Sequence, residues 1–111
     1  MNAQAAAALK VANRVRLARA AFRAELRSLP AGEGLALLAA SFEDAAWCAA
    51  GPVASERVEV VFSWPRGVGA LVVAELLAEV GCSAFRRVDE LTERQRAAGA
   101  AALRRASERV S

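Results

Sequence analysis

Apolar residues recur at helical spacing through most of the chain, and this pattern predicts an all-α fold. Residues 3–29 contain no proline or glycine and consist largely of good helix formers, so we expect one long helix there. At 100° per residue, six apolar side chains of this helix fall within about 80° of one another, and this stripe is the expected buried face. The stripe comprises Val11, Val15, Ala18, Phe22, Leu26 and Leu29.

Shorter helices are predicted for the middle of the chain. Residues 35–42 form an apolar helical segment after a predicted loop over Gly32–Gly34. Ser55 is a suitable N-cap for a helix that begins at Glu56. The β-branched residues at 58–64 favour a strand, but no partner strand occurs elsewhere in the sequence, so we predict a helix for this segment as well.

A tight turn and two helices are predicted for the C-terminal half. Gly67-Val68-Gly69 forms the turn, and a helix follows over residues 70–80. Gly81 lies where a helix commonly ends on a left-handed residue. The segment Thr92-Glu93-Arg94-Gln95 fits the capping-box pattern and predicts a last helix that ends at about Arg109.

The length of the chain is sufficient for one domain with a helical arm. Its 111 residues lie at the lower end of the roughly 100–200 residues of a typical domain. We predict a basic N-terminal helix over residues 1–30, acting as an arm or lid, and a helical domain over residues 31–111. Within that domain we expect a helix–two-turn–helix element at about 56–91 and the C-terminal helix at about 92–109.

The composition excludes several classes of chemistry. Histidine and tyrosine are absent, which excludes Ser-His-Asp and Cys-His catalysis and zinc sites that need histidine. Cys48 and Cys82 form no CxxC motif, so we interpret them as small buried apolar residues in a reducing compartment. No paired carboxylates and no Walker or Rossmann fingerprint occur. We therefore expect no enzyme activity, no cofactor, no metal and no small-molecule substrate.

No segment of the sequence is predicted to enter a membrane. The longest uncharged run, Ala45–Ser55, is well short of the roughly 18 residues that a spanning helix needs. The N-terminal residues also lack the basic start and leucine-rich stretch of a signal peptide. The expected location is the cytoplasm.

Charge is distributed unevenly along the chain, although the formal net charge is only +3. Residues 1–30 contain six basic residues and one acid, a net charge of +5. Residues 31–60 contain one arginine and five acids, a net charge of −4, and residues 61–111 contain eight arginines and six acids, a net charge of +2. Two basic ends that flank an acidic middle suggest a polyanionic partner for the ends.

Four arginines follow one line of the first predicted helix. Arg16, Arg19, Arg23 and Arg27 have the spacing i, i+3, i+7, i+11, at which like charges repel by a few tenths of a kcal/mol per pair. A DNA phosphate backbone would favour this cluster, and so would acids of the middle segment or of a protein partner. A merely solvated face is the third interpretation.

The turn at Gly67-Val68-Gly69 has chemistry that suits a phosphate group. Glycine lets the backbone approach an anion closely, and the unpaired amides at the start of the following helix carry the positive end of its dipole. A phosphate bound there contacts backbone alone and is recognised without regard to base sequence. The same glycines also serve in an ordinary tight turn between two helices, so both interpretations stay open.

The longer segment PRGVGALVVAELLAEVGCSAFRRVDEL, residues 65–91, resembles the actinobacterial integration host factor family of nucleoid-associated proteins. The upstream segment ANRVRLARAAFRAEL is similar to that family's first helix, which is rich in alanine and arginine. The resemblance covers about 70 residues and implies an all-α fold with a helix–two-turn–helix element. It further implies binding of double-stranded DNA with little sequence preference, bending, bridging or compaction of the duplex, association with the nucleoid, and cooperation with a phage integrase.

The resemblance also assigns DNA-contacting roles to particular residues. Gly67, Val68 and Gly69 would bind a phosphate through their amides, with Arg66 beside them. Arg86 and Arg87 would bind neighbouring phosphates or enter a groove of the duplex. The arginines of the first helix would provide a second surface, comprising Arg16, Arg19, Arg23 and Arg27.

The chain departs from the family pattern at positions that are usually basic. Uncharged or acidic residues stand at Ala70, Val72, Ala74, Glu79 and Asp89. Because each lost phosphate contact lowers the salt dependence of binding by about 0.9, weaker DNA binding is expected. The alternative is a protein-interaction module that keeps the fold and binds a second copy of itself or a host protein, and an RNA-associated role is a further candidate.

Overall fold

The long first helix packs on a body of shorter helices in the computed structural model, which describes residues 2–110. No β-strand occurs within those residues, so the predicted all-α fold is confirmed. No helix in this range has the length and hydropathy that a membrane span requires. The elements are α1 (Ala3–Ser28), α2 (Ala31–Glu43), α3 (Ala45–Ala50), α4 (Val58–Phe62), α5 (Ala70–Val80), a 3₁₀ turn (Val88–Glu90) and α6 (Glu93–Val110).

The core lies where α2 packs against α6. Phe42 of α2 is fully buried and lies obliquely on Phe62 of α4, with 5.3 Å between the ring centroids. A Cβ atom at Gly99 of α6 would lie 3.2 Å from the Phe42 ring and 3.3 Å from Val80. Gly99 has low helix propensity, but it allows α6 to approach α2 and α5 closely.

The predicted turn and caps of the C-terminal half are confirmed. α5 spans Ala70–Val80, and Gly67 and Gly81 adopt positive φ angles of 78° and 76°. The Thr92 amide donates to Gln95 Oε1 at 3.0 Å, and the Gln95 amide donates to Thr92 Oγ1 at 3.1 Å. These local signals depend on the conformations of a few adjacent residues, which is why sequence alone was sufficient to locate them.

The predicted loop over Gly32–Gly34 is wrong, because these residues form the first turn of α2. A Cβ atom at Gly34 would lie 3.1 Å from the carbonyl oxygen of Leu26. The glycine therefore lets the start of α2 pass close to the end of α1. Its function is close packing of two helices and not reversal of the chain direction.

Ser55 is also not the N-cap that the sequence suggested. α4 begins at Val58 and has Arg57 at its N-cap position, without a side-chain capping bond. The Val58 amide donates instead to the carbonyl oxygen of Arg86 at 2.9 Å, in a short antiparallel bridge. A backbone segment distant in sequence thus replaces the local cap.

The two halves of α1 have different surroundings. Leu26 is fully buried and Phe22 is half-buried, whereas Val11 is 54% exposed and Val15 is 39% exposed. Ala18 is exposed as well, so the prediction of a continuous buried stripe is wrong for Val11, Val15 and Ala18. Gly51 and Pro52 lie beside Val15 and Ala18 without covering them, and Val11 is more than half exposed. We call residues 3–15 the free half of α1 and residues 16–28 the docked half.

Candidate nucleic-acid interface

Arg19, on the basic side of α1, is turned towards the body. Its Nε donates to the Pro52 carbonyl oxygen at 3.1 Å, and its Nη2 donates to Ser55 Oγ at 2.9 Å. Nη1 lies 3.7 Å from Glu56 Oε2. On a helical projection Arg19 lies only about 20° from Leu26, so it borders the buried face. Its contacts therefore fit the interpretation in which acids and carbonyls of the middle segment compensate an arginine.

Arg16, Arg23 and Arg27 are exposed on the outer side of α1. Arg16 Nη2 donates to Asn13 Oδ1 at 2.6 Å within the same helix. Among residues 2–110, neither Arg23 nor Arg27 has a side-chain hydrogen bond or ion pair. The single acid of α1, Glu25, lies about 160° around the helix from Arg23 and Arg27. These three arginines, which we call the α1 arginine row, are open to an external anion.

Arg66 joins the glycine turn to the end of the α1 arginine row. Its Nε donates to the carbonyl oxygen of Arg27 at 2.8 Å, across 39 positions of the chain. That oxygen belongs to the last turn of α1, whose carbonyl groups lack N–H donors within the helix. The bond satisfies an orphan carbonyl group and brings two predicted DNA-contacting regions together, because the Arg66 guanidinium then lies beside the last residue of the row.

The turn itself, Gly67-Val68-Gly69, is open on its outer side. Gly69 is the N-cap residue of α5, and no side chain forms a capping hydrogen bond there. A Cβ atom added at Gly69 would meet no atom within 4 Å. The first amides of α5 thus retain their hydrogen-bonding capacity and the positive end of the helix dipole. We call this feature the glycine corner.

Arg86 and Arg87 lie at the other end of α5 from the glycine corner. The 11 residues of α5 span roughly 16 Å. Arg87 Nε lies 3.1 Å from Asp89 Oδ1 and 3.9 Å from Glu90 Oε1. The hydrogen bond to Asp89, with the charge of the same carboxylate, raises the pKa of Arg87 above its usual value. Arg86 is exposed and has no ion pair among the described residues, so only one of the two cations is unpaired.

The positions where the family pattern expects cations form a largely uncharged surface on α5. Ala70 and Ala74 are exposed, and Val72 is half-buried. Glu79 Oε2 accepts from Arg105 Nη2 at 2.8 Å, and Asp89 pairs with Arg87 as described above. Both acids at these positions are therefore compensated within the protein. No cation takes the place of the basic residues that the family pattern has there.

Sequence reasoning gave no role to Arg57 and Phe85. The Arg57 guanidinium carbon lies 5.9 Å from the centroid of the Phe85 ring, and that ring is 74% exposed. Arg57 Nη1 also lies 3.3 Å from Glu59 Oε1. A cation over an exposed aromatic face is a favourable local pair. The sequence offers no signal for it, since the two residues are 28 positions apart and meet only through the folding of α4 and α5.

The two cysteines have the surroundings of apolar residues. Cys48 is buried and Cys82 is half-buried, and both are free thiols. Burial raises the pKa of the Cys48 thiol to about 11 and raises the pKa of Cys82 as well. Neither thiol is activated as a nucleophile, because activation requires a lowered pKa. Within residues 2–110, no group of three or more Cys, Asp or Glu residues is placed to hold a metal ion.

Comparisons of the chain with protein-family models, with curated proteins and with solved structures find no match. The resemblance to the integration host factors therefore stays a prediction. What the structure provides is a local arrangement: the α1 arginine row, Arg66 and the glycine corner are contiguous, whereas Arg86 and Arg87 are separate from them.

Proposed function

We propose that this protein binds double-stranded DNA with little sequence preference, through the α1 arginine row, Arg66 and the glycine corner. The observation that carries the proposal is the hydrogen bond from Arg66 to the Arg27 carbonyl oxygen, because it joins two cationic features into one surface. Arg23 and Arg27 support it further, since they have no ion pair among residues 2–110 although an acidic segment lies nearby in the chain.

The chemistry of such a surface is recognition of the phosphate backbone. Arg16 and Arg27 are 11 residues apart, which corresponds to roughly 16 Å along the helix. Duplex DNA carries about one negative charge per 1.7 Å of its axis, so a row of this length faces several phosphates at once. Guanidinium groups bind phosphate oxygens in a bidentate manner, and the open amides of α5 provide uncharged donors. None of these contacts reads a base.

An architectural role follows if Arg86 and Arg87 contact the duplex as well. Because they lie at the far end of α5 from the glycine corner, a single protein would contact the backbone at two separate places. Contacts of this kind stabilise a bend or bridge two duplexes. Arg87 is already paired with Asp89, so we expect the second contact to be the weaker one. Nucleoid association and stimulation of an integrase belong to the same proposal.

A fluorescence-anisotropy titration of a random-sequence duplex tests the proposal. We expect binding at about 50 mM salt that weakens steeply towards 200 mM. The double variant Arg23→Gln/Arg27→Gln should lower the slope of log affinity against log salt by roughly two, since two phosphate contacts are lost.

The matched control is the double variant Arg94→Gln/Arg96→Gln, whose two arginines have no ion pair among the described residues. It removes the same charge from α6, outside the proposed surface, and should leave the slope nearly unchanged. Absence of binding by the parent protein at about 50 mM salt would falsify the proposal. Equal losses in the two double variants would show that net charge, and not this surface, controls binding.

Protein interaction is the second candidate function, and a specific observation favours it. An open apolar groove of about 550 Å³ lies between α4 and α5. Several arginines that could contact DNA are instead neutralised within the protein by Glu56, Glu43 and Glu79. A protein that retains the fold with fewer free cations has more of its surface available for another protein.

A further inference from the structure

The C-terminal end of α6 lies against the glycine corner. Ser107 Oγ donates to the carbonyl oxygen of Gly32, in the first turn of α2, at 2.6 Å. Gly67 is close to the same turn, because a Cβ atom added to it would lie 3.6 Å from the Cβ atom of Ala31. The end of α6 and the glycine corner are therefore both held at the start of α2. This arrangement sets the position of Arg109, which follows Ser107 by two residues.

An open cavity of about 300 Å³ lies between the glycine corner and α6, and we call it the corner cavity. Arg66 and Gly67 line it from the turn, Glu75 lines it from α5, and Arg109 lines it from α6. Apolar side chains complete the lining. The corner cavity thus brings a cation of α6 next to the surface proposed to bind DNA. No sequence signal predicts this, since 43 positions separate Arg109 from Arg66.

The two arginines of the corner cavity are not neutralised by the protein. Arg109 is exposed, and within residues 2–110 its guanidinium group has no hydrogen bond or ion pair. Arg66 donates through Nε to the Arg27 carbonyl oxygen and has no acidic partner in the same range. Two like charges that line one cavity repel each other, and an external anion between them relieves this repulsion.

Glu75 faces these arginines from α5 without pairing with either of them. α5 and α6 are antiparallel, and Glu79 Oε2 accepts a hydrogen bond from Arg105 Nη2 at 2.8 Å between them. Glu75 and Arg109 stand one helical turn further along their helices, where a second such pair would form. In the part of the chain that the structure describes, no ion pair joins them, and both line the corner cavity instead.

We propose that the phosphate-binding surface continues through the corner cavity to Arg109, and that Glu75 competes with the DNA phosphate for the two arginines. This inference rests on the proposed DNA binding and adds α6 to the elements that contact the backbone. A phosphate group at the cavity accepts hydrogen bonds from Arg66 and Arg109, because guanidinium groups match the geometry of its oxygens. The carboxylate of Glu75 repels that phosphate, so this residue lowers the affinity for DNA.

Titration of a random-sequence duplex at several salt concentrations tests the role of Arg109 in the full chain. Arg109→Gln should lower the slope of log affinity against log salt by about one, since one phosphate contact is lost. Arg109→Lys keeps the charge and should retain the slope. The matched control is Arg94→Gln, which removes an exposed arginine from the opposite end of α6 and should leave the slope nearly unchanged.

The role of Glu75 predicts a change in the opposite direction. Glu75→Gln should tighten DNA binding roughly threefold at low salt, an effect typical of one exposed charge pair. Glu93→Gln, which removes an exposed acid near the start of α6, is the matched control and should have little effect. In the background Arg66→Gln/Arg109→Gln, the gain from Glu75→Gln should largely disappear, because no phosphate is then held at the cavity.

The outcomes separate this inference from the proposed function. If the parent protein does not bind the duplex, both are wrong. If the parent binds and Arg109→Gln leaves the slope unchanged, or lowers it no more than Arg94→Gln does, the inference alone is overturned. Loss of the slope in Arg109→Lys also overturns it, since the effect would then not depend on charge. Equal gains for Glu75→Gln and Glu93→Gln would contradict the competition by Glu75.

Discussion

The free half and the docked half of α1 have the same sequence character and opposite environments. Both carry an apolar face with basic side chains beside it, and both belong to one uninterrupted helix. In the docked half, Phe22 lies 5.3 Å from Trp47 and Leu26 is fully buried. In the free half, Leu9 and Val11 are at least half exposed. Helical periodicity therefore specifies which side of a helix is apolar, but it does not specify how far along the helix a partner surface extends.

The same contrast separates the arginines. Arg19, where α1 meets the body, is bound by a carbonyl group, a hydroxyl group and a carboxylate. Arg23, only four residues further along the helix, has no such partner among the described residues. An arginine on the border of a buried face contributes to folding, whereas one on the outer face is available for an external ligand.

Hydrogen exchange should show the largest difference between the two halves. Isolated helices shorter than about 12–15 residues are marginal in water, so amides of the free half should exchange nearly as fast as in an unfolded chain. Amides of residues 22–28 should exchange only on global unfolding, with protection of about 5 kcal/mol or more.

Mass spectrometry or NMR on dilute protein measures this exchange, so that the monomer predominates. Uniform protection along α1 in the monomer would contradict the division of the helix.

Truncation of one apolar residue in each half is expected to have the next largest effect. Leu26→Ala removes a fully buried side chain beneath α2 and should lower the free energy of unfolding by about 2–5 kcal/mol. Val11→Ala removes an exposed side chain and should change it by less than about 0.5 kcal/mol. Urea denaturation, followed by circular dichroism, compares the two variants, and similar losses would mean that the free half is buried in solution.

The smallest effect concerns the two arginines. Arg19→Gln removes two hydrogen bonds and a weak ion pair at a partly buried position, so we expect a loss of about 0.5–1.5 kcal/mol. Arg23→Gln removes the same charge from the outer face and should be neutral within about 0.5 kcal/mol. Because both variants have the same net charge, a difference in their urea midpoints reports the contacts of Arg19 alone. Equal midpoints would remove the distinction between these two positions.

Much of the fold was predictable because its signals are local. The limits of α5, the left-handed Gly81 and the capping box at Thr92 each depend on a few neighbouring residues. The loop predicted at Gly32–Gly34 failed for a different reason. Glycine weakens a helix in isolation, but Gly34 is needed where the carbonyl of Leu26 passes 3.1 Å from the position of a Cβ atom. That close contact forms between two helices, so the sequence of neither helix alone predicts it.

The sequence by itself determined where most of the helices lie, which side of α1 is basic, and that the glycine corner begins α5. Tertiary structure alone decided that Arg66 meets Arg27, that Arg19 is neutralised within the protein, and that Val11 is exposed. The physical reason is the distance along the chain over which each kind of interaction acts. Helix propensity, capping and periodicity act over four or five residues, whereas ion pairing and burial depend on which distant surface the folded chain brings into contact.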